Sequence, residues 1–317
     1  MKRSLLMVLA LLIAMATTSS AFAQDQGVGA LAVFKNGVDA RILAMGGAGV
    51  AAAQGYSASY WNPAGLAAAA KGAIRLGGMN TNLLGAGINF NYAGAAWELF
   101  GLPWGASLGL VSITDIPLSG GGMGSDTEIM GVVGSAFRLG NIVVGASGKY
   151  YSQQLLDASA TGIGVDAGVT IDGLIEGLTI GAAGYDLGGT QFKWSTNHTD
   201  LVEQLFRVGA AFKTSDITVA LQADLLAGGT PVFHAGAEFS LFGPVSVRVG
   251  AVQVPGSTSD FSFTAGAGLR LGTLTVDFAW LQNKTFAGVE GASDTLVLSF
   301  EFKFGGESEE TPPPPSK

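Results

Sequence analysis

Residues 296–304 read Leu-Val-Leu-Ser-Phe-Glu-Phe-Lys-Phe. Leucine or phenylalanine stands at every second position, and Val, Ser, Glu and Lys fill the positions between. Because successive side chains of a β-strand point to opposite faces, the stretch predicts a strand with one strongly apolar face. The apolar face suits contact with lipid, and the other face suits the lumen of a barrel.

The same alternation recurs from about residue 73 to residue 304. It is clearest in residues 206–212, 233–239, 261–271 and 274–280, where the charged residues keep to one face. We therefore predict an all-β fold, an antiparallel transmembrane β-barrel of about fourteen strands, each of roughly ten residues, the length that a tilted membrane strand needs. The strand centres are expected near residues 76, 92, 109, 132, 146, 167, 182, 208, 220, 237, 248, 266, 277 and 299.

Connection lengths give a second argument for a barrel. On the periplasmic side the expected connections are short, with one somewhat longer: 98–103, 139–140, 172–177, 214–215, 242–243 and residue 272. On the external side they are longer: 115–126, 152–161, 187–203, 253–260 and 282–293. Outer-membrane barrels sort their loops in this way. A soluble β-sandwich is the alternative, but its fold does not require short connections at one end and long connections at the other.

The N-terminus has the features of a secretory signal peptide. Lys2 and Arg3 precede an apolar stretch at residues 5–16, and Ala-Phe-Ala occupies positions 21–23. This pattern predicts a signal peptide at residues 1–23. An uncleaved membrane anchor is the alternative, although the apolar run is shorter than a spanning helix. The mature chain is thus expected in the outer membrane of a Gram-negative-type (diderm) bacterium.

Composition excludes several classes of protein. The chain has no cysteine, so hydrogen bonding and packing must close the exported fold. The formal charge is −8, and loss of Lys2 and Arg3 would make it −10. Nucleic acid is an unsuitable partner, because phosphate binding needs clustered Lys and Arg.

Residues 305–317 are acidic and proline-rich, and we interpret them as a disordered periplasmic tail, with a docking role as the alternative.

Two motifs in residues 40–67 carry a family resemblance: Met-Gly-Gly-Ala at 45–48 and Trp-Asn-Pro-Ala-Gly-Leu at 61–66. The segment resembles the N-terminal region of the FadL-like outer-membrane barrels, including the PorV/PorQ group. The resemblance implies that residues 24–72 form a small plug inside a barrel of residues 73–304. It also implies recognition by the barrel assembly machinery through the terminal Phe304. The implied plug motif and plug glycines are Asn62, Pro63, Ala64, Gly65, Gly46, Gly47 and Gly49.

Glycines also recur on the expected lumen face of the strands. Small residues there would leave room for a plug, but glycines could equally serve to relieve the curvature and twist of the barrel. Both interpretations remain open from the sequence. The lumen glycines are Gly145, Gly164, Gly168, Gly209, Gly236, Gly250, Gly266 and Gly268.

The expected lumen face carries charges of both signs. We expect them to pair with one another or with the plug, because single buried charges are costly. A substrate pathway is the alternative, since ionisable groups at membrane depth often mark one. These residues are Arg207, Asp224, Glu238, Arg248, Arg270, Asp277, Glu301 and Lys303.

The sequence offers no constellation typical of an enzyme. Its two histidines, His198 and His234, have no nucleophile or metal-ligand partner at useful spacing. The glycine-rich stretch at 120–124 lacks the Lys-Ser/Thr of a phosphate loop, and is expected to be a flexible external loop. We therefore predict no catalytic site, no metal and no cofactor.

Two functions from different classes follow from the resemblance. The first is passive uptake of hydrophobic small molecules, such as fatty acids or aromatic hydrocarbons, through a FadL-type channel. In that family a ligand enters a pocket against the plug and leaves through a gap in the wall as the plug shifts, so Asn62, Pro63 and Ala64 would move. The second is a PorV-like barrel that binds exported proteins or secretion machinery and transports no small molecule.

Overall fold

A computed structural model describes residues 31–68, 72–85, 87–226, 229–253, 261–283 and 293–305. The predicted signal peptide at 1–23, the first residues of the plug segment and the tail from residue 306 lie outside the described residues. Sixteen strands are described: β1 (Ala73–Leu83), β2 (Ile88–Leu99), β3 (Leu102–Pro117), β4 (Met123–Leu139), β5 (Ile142–Leu155), β6 (Ala158–Asp172), β7 (Leu178–Tyr185), β8 (Thr190–Trp194), β9 (Thr199–Val202), β10 (Leu205–Lys213), β11 (Ile217–Leu226), β12 (Val232–Ser240), β13 (Val245–Gln253), β14 (Phe261–Leu271), β15 (Leu274–Leu281) and β16 (Thr295–Gly305).

Fourteen of these strands form one closed antiparallel barrel. Each barrel strand pairs with the next barrel strand along the chain, β7 pairs with β10, and β16 returns to pair with β1. Closure gives the first and last strands a partner, so neither is left with an unpaired edge. Every predicted strand centre falls within one of the fourteen strands, which confirms the predicted fold class. The two remaining strands, β8 and β9, form a separate hairpin.

The two faces of the wall differ as the alternation predicts. On β16, Leu296 and Leu298 are more than half exposed on the outside, whereas Val297 and Ser299 are each 1% exposed and face inward. A continuous apolar exterior is the surface that lipid requires of a membrane barrel. None of the helices among the described residues has the length and apolar character to cross a membrane.

Five short helices lie before the barrel in the described part of the chain. Two are α-helical, α1 (Ala40–Ala44) and α2 (Ala58–Trp61), and three are 3₁₀ helices, Ala32–Lys35, Gly55–Ser57 and Pro63–Ala68. Their apolar side chains are nearly all buried. We call the segment from Leu31 to Ala68 the insert. It packs against the inward faces of the strands, and the main apolar cluster of the molecule contains residues of both.

Three of the expected connections were wrong. Strands β3 and β4 run on through most of 115–126 and meet in a turn at 118–122, and β5 and β6 leave only 156–157 between them. The periplasmic connection at 98–103 is likewise a two-residue turn. Polar residues continue the pairing beyond the apolar band, because backbone hydrogen bonding does not need an apolar side chain. The segment 187–203, which the sequence predicts to be a loop, contains the two strands β8 and β9.

Candidate functional site

The insert crosses the lumen from one side of the wall to the other. Helix α1 packs against β13 to β16, while the 3₁₀ helix Pro63–Ala68 packs against β3 to β6. These two groups of strands lie on opposite sides of the closed barrel. The insert therefore separates two parts of the lumen, which we name external and periplasmic after the orientation that the loop lengths predict.

Inward glycines provide the space that the insert occupies. A Cβ atom added to Gly236 would lie 2.5 Å from the Cβ of Met45, and one added to Gly168 would lie 3.0 Å from the Cγ of Asn62. Real Cβ atoms are not found so close to their neighbours, so a larger residue would push the insert from the wall. Insert atoms also crowd Gly145, Gly209, Gly250 and Gly266. Room for the insert thus accounts for six of the eight lumen glycines, and the other two, Gly164 and Gly268, face side chains outside the insert.

The Asn-Pro-Ala-Gly motif lies where the insert meets β5 to β7. Asn62 is buried, and its side-chain nitrogen donates hydrogen bonds to the carbonyls of Val50 (2.8 Å) and Val169 (3.3 Å). Its side-chain oxygen accepts from the backbone N–H of Ala64 (3.0 Å), and its own carbonyl accepts from the N–H of Gly65 (2.8 Å). Asn62 thus ties the start of the Pro63–Ala68 helix both to the insert and to the wall.

The glycines of the other motif lie at the opposite wall. Gly46 donates its N–H to Thr264 Oγ1 (3.1 Å), and its carbonyl is 2.7 Å from His234 Nδ1. Gly46 and Gly47 both have positive φ, which glycine adopts without a Cβ clash. Gly49 lies directly against the ring of Trp61, where no side chain would fit.

The lumen charges fall into two groups. In the external group, Arg207 binds Asp224 (3.0 Å) and lies over the rings of Trp61 and Tyr185, with its guanidinium carbon 4.9 Å from each ring centre. His234 Nε2 is 3.5 Å from the same carboxylate. These residues join four wall strands, β7, β10, β11 and β12, to the insert through one buried network.

The periplasmic group surrounds a polar chamber of about 430 Å³. Arg41 of the insert binds Glu238 (2.8 Å), and Arg248 binds both Glu238 (2.6 Å) and Asp277 (2.7 Å). A separate pair joins Arg75 to Glu301 (2.9 Å), and Arg270 also lines the chamber. Six of the lumen charges that the sequence predicts therefore lie in ion pairs: Arg207, Asp224, Glu238, Arg248, Asp277 and Glu301.

A buried carboxyl on the insert faces the same chamber. Asp39 accepts hydrogen bonds from the N–H of Arg41 (3.0 Å) and the hydroxyl of Ser57 (2.8 Å). Burial, reinforced by the charge of Asp277, raises the pKa of Asp39 to about 7, although Ser57 and Arg41 act in the opposite direction. Asp39 is therefore the group of the insert whose charge changes near neutral pH.

Sequence reasoning missed a second ionic cluster in the external half of the lumen. Lys149 of β5 binds Asp166 (2.9 Å) and Asp186 (3.2 Å), and the hydroxyl of Tyr151 also donates to Asp186 (3.1 Å). Lys149 and Tyr151 are two positions apart in the same strand, and this spacing could have indicated that both side chains face the lumen. It was obscured because small residues such as Gly148 and Ala146 blur the alternation of β5.

A largely apolar cavity lies between the insert and the external half of the wall. Leu31 and Phe34 of the insert face Met130 and Val132 of β4 across it, and the lining is completed by a few ring and polar side chains. The enclosed space is about 40 Å³, which is room for roughly three water molecules. A larger ligand could enter only if the insert or another part of the lining moved.

The hydroxyls of the cavity tyrosines are turned away from the space. Tyr60 donates to the carbonyl of Phe34, Tyr185 to the carbonyl of Trp61, and Tyr151 to Asp186. Two of the three cations that line the cavity, Lys149 and Arg207, are already bound to carboxylates, and the third, Lys35, is an exposed residue of the insert. The surface offered to a ligand therefore consists mainly of ring faces and aliphatic carbon.

Two buried carboxylates near the external end of β4 have no cationic partner in the described structure. Gln153 donates to Asp126 (2.8 Å) and to Glu128 (3.3 Å), but Oε2 of Glu128 is buried without a hydrogen-bond partner. The described residues contain no cluster of three or more His, Cys, Asp or Glu suited to a metal ion.

Solved structures of other proteins share the fold of this chain. The Ralstonia pickettii toluene transporter TbuX superposes with a TM-score of 0.60 at 16% identity, covering 85% of this chain and 99% of that one. The Pseudomonas putida toluene transporter TodX gives 0.62 at 13%, covering 86% and 100%, and a Pseudomonas aeruginosa FadL homologue gives 0.59 at 12%, covering 84% and 98%. The chain has the fold of FadL-like barrels. Neither a family model nor a curated protein sequence matches it.

Proposed function

We propose that this protein is an outer-membrane channel for passive uptake of hydrophobic small molecules. The observation that carries the proposal is the apolar cavity enclosed between the insert and the external wall, where the tyrosine hydroxyls and two of the cations, Lys149 and Arg207, are already engaged. Its structural neighbours include toluene transporters, and their fold extends over most of this chain. The apolar exterior of the barrel supports contact with outer-membrane lipid in a diderm bacterium.

The position of the insert suggests the route. The apolar cavity lies on its external side and the polar chamber on its periplasmic side. A ligand that reaches the cavity can go further only if the insert shifts, because the insert contacts opposite sides of the wall. Asn62, Pro63 and Ala64 would then belong to the moving element, with the contacts of Asn62 to Val169 broken first.

A disulfide between insert and wall tests this route. The hydroxyls of Ser59 on α2 and Ser107 on β3 are 3.2 Å apart, and the native chain has no cysteine to interfere. Cells that lack other FadL-type transporters and produce the Ser59→Cys/Ser107→Cys barrel should take up little toluene when the pair is oxidised. Reduction should restore uptake.

A matched control separates insert locking from a general effect of oxidation. Asn82→Cys/Asn89→Cys joins neighbouring residues of β1 and β2, whose side chains are exposed and away from the insert. Its uptake should not depend on oxidation. The proposal is rejected if cells accumulate toluene and oleate equally with and without the native barrel.

The narrower resemblance to the PorV/PorQ group suggests a second candidate, a barrel that binds exported proteins or secretion machinery. Phe100 and Phe242 favour it, because they protrude from periplasmic turns and are 91% and 95% exposed. An exported protein that co-purifies with the native barrel, but not with a Phe100→Ser/Phe242→Ser variant, would support this candidate.

Recognition of Phe304 by the barrel assembly machinery is a further proposal, and a Phe304→Ala variant should assemble less efficiently.

A further inference from the structure

The hairpin of β8 and β9 is held to the wall by little backbone pairing. The two strands pair with each other from Thr190 and Val202 to Lys193 and Thr199. In the described residues, Ala160 and Thr161 of β6 pair with Trp194 and Lys193, and Ser195 donates its backbone N–H to the carbonyl of Ser159 (2.8 Å). Adjacent barrel strands pair over much longer stretches, so of the sixteen described strands the two of the hairpin can leave the wall with the fewest broken backbone bonds.

The hairpin nevertheless covers the external lumen with an apolar inner face. Phe192 is completely buried and Val202 is nearly so, whereas Gln191 and Leu201 on the other face are exposed. Phe192 packs edge-on against Trp194, with ring centres 5.8 Å apart, and belongs to the same apolar cluster as Phe34 of the insert. The inner face of the hairpin is thus part of the core above the insert.

The same segment forms the roof of the apolar cavity. Val202, Glu203 and Leu205, at the end of the hairpin, line the cavity together with Asp186, at its beginning. These residues lie at the external ends of β7 and β10, so the cavity is closed on the side from which a ligand would arrive.

A short connection with unusual backbone angles leads into the hairpin. Asp186, Gly188 and Gly189 all have positive φ, and their segment turns the chain from β7 into the lumen. Asp186 is held there by Lys149 (3.2 Å) and by the hydroxyl of Thr190 (2.9 Å). The inward Gly164 leaves room for both, since an added Cβ would lie 2.5 Å from Asp186 and 2.6 Å from Thr190.

We propose that the β8–β9 hairpin is a lid over the external cavity, closed by Phe192 and turning about the connection at 186–189. Opening would separate the Thr161–Lys193 pairing and withdraw Phe192 from the core, which exposes the cavity to the outside. The contribution of the lid to uptake depends on the proposed function, whereas its movement does not.

Cavity accessibility tests the movement directly. Met130 is buried in the cavity wall, and a Met130→Cys variant would carry the only thiol of the chain. We expect N-ethylmaleimide to label this thiol slowly in the purified, folded barrel. Adding Phe192→Ala should accelerate labelling about tenfold or more, because loss of a buried ring weakens closure. Gln191→Ala, on the exposed face of the same strand, should leave the rate unchanged.

A tether tests the same movement without enlarging the cavity. Thr161→Cys/Lys193→Cys places a disulfide between β6 and β8, where the two residues are directly paired and exposed. Oxidation should slow toluene uptake severalfold and reduction should restore it, whereas Asn82→Cys/Asn89→Cys should show neither effect. The lid is overturned if Phe192→Ala fails to accelerate labelling in a barrel that still migrates as folded. Fast labelling without any toluene uptake would keep the lid and reject the channel.

Discussion

The guanidinium of Arg207 lies over the indole of Trp61, with its central carbon 4.9 Å from the ring centre, while its edge binds Asp224 at 3.0 Å. Trp61 immediately precedes Asn62 in the insert, and its indole nitrogen donates to the carbonyl of Val38 (2.9 Å). One buried cation on the wall therefore holds the part of the insert that carries the Asn-Pro-Ala-Gly motif.

Removing only the cation of the Arg207–Asp224 ion pair should strongly lower the stability of the barrel. Arg207→Met leaves the buried Asp224 without its main counter-charge, and we expect a loss of about 3–5 kcal/mol. Arg207→Met/Asp224→Asn removes both charges and should recover part of the loss. The temperature at which the folded band disappears in a gel-shift assay measures both. A double variant less stable than Arg207→Met would contradict the ion-pair interpretation.

Replacing an inward glycine should displace the insert, while replacing an outward one should not. A Cβ at Gly145 would lie 2.7 Å from the carbonyl oxygen of Pro63, whereas a Cβ at Gly148 of the same strand would meet no atom within 4 Å. Limited trypsin digestion should cleave at Lys35 and Arg41 faster in Gly145→Ala than in the native barrel. Gly148→Ala serves as the control. Equal protection of both variants would favour barrel curvature as the reason for Gly145.

Neutralising Glu128 should stabilise the barrel. Its carboxylate is 5% exposed, it lies close to Asp126 through their common partner Gln153, and one of its oxygens has no hydrogen-bond partner. Glu128→Gln removes a buried like-charge interaction, and a gain of about 1–3 kcal/mol is expected. Guanidinium unfolding followed by tryptophan fluorescence would measure it. Asp157→Asn, in an exposed external turn, should have no effect, and a destabilised Glu128→Gln would show that the carboxylate has an unrecognised partner.

Docking of the insert should weaken as pH rises towards neutrality. Burial and the neighbouring charges of Asp277 and Glu301 raise the pKa of Asp39 to about 7, above its ordinary value of 3.8. A raised pKa in the folded state means that Asp39 stabilises docking fully below pH 3.8, and that this contribution is lost as pH rises through 7. Trypsin cleavage at Lys35, measured with a pH-corrected reference substrate, should therefore increase from pH 5.5 to 8. Asp39→Asn should flatten this increase, and an unchanged profile would show that Asp39 does not titrate there.

The positions of the strands and the identity of their inward residues follow from local alternation. Phe300 and Ser299 already reveal which face of β16 meets lipid, since the period of two is a property of the single strand. For the same reason Arg207 and Asp224 could be assigned to the lumen before any pairing was known. Where Gly and Ala replace larger residues, as around Lys149 in β5, the local signal weakens and the inward lysine was missed.

The hairpin of β8 and β9 shows where loop interpretation fails. Residues 187–203 contain Gly188, Gly189 and several polar residues, and they indicate a long external connection. Phe192, within this segment, is buried because the connection at 186–189 turns the chain into the lumen. The path of that connection depends on Lys149 and Gly164, which belong to other strands. No short stretch of sequence contains that information.

The alternation of residue types predicts a barrel of about fourteen strands and, where large and small residues alternate clearly, the face that a strand turns to lipid, while residues 40–67 indicate a plug through their resemblance to a family motif. Which inward residues meet depends on the tertiary structure, as the contact between Arg41 and Glu238, 197 positions apart in the chain, illustrates. Alternation is set by the geometry of one strand, whereas contacts inside the lumen depend on register, barrel closure and the path of the insert together. The cavity and its roof exist only when all three are in place.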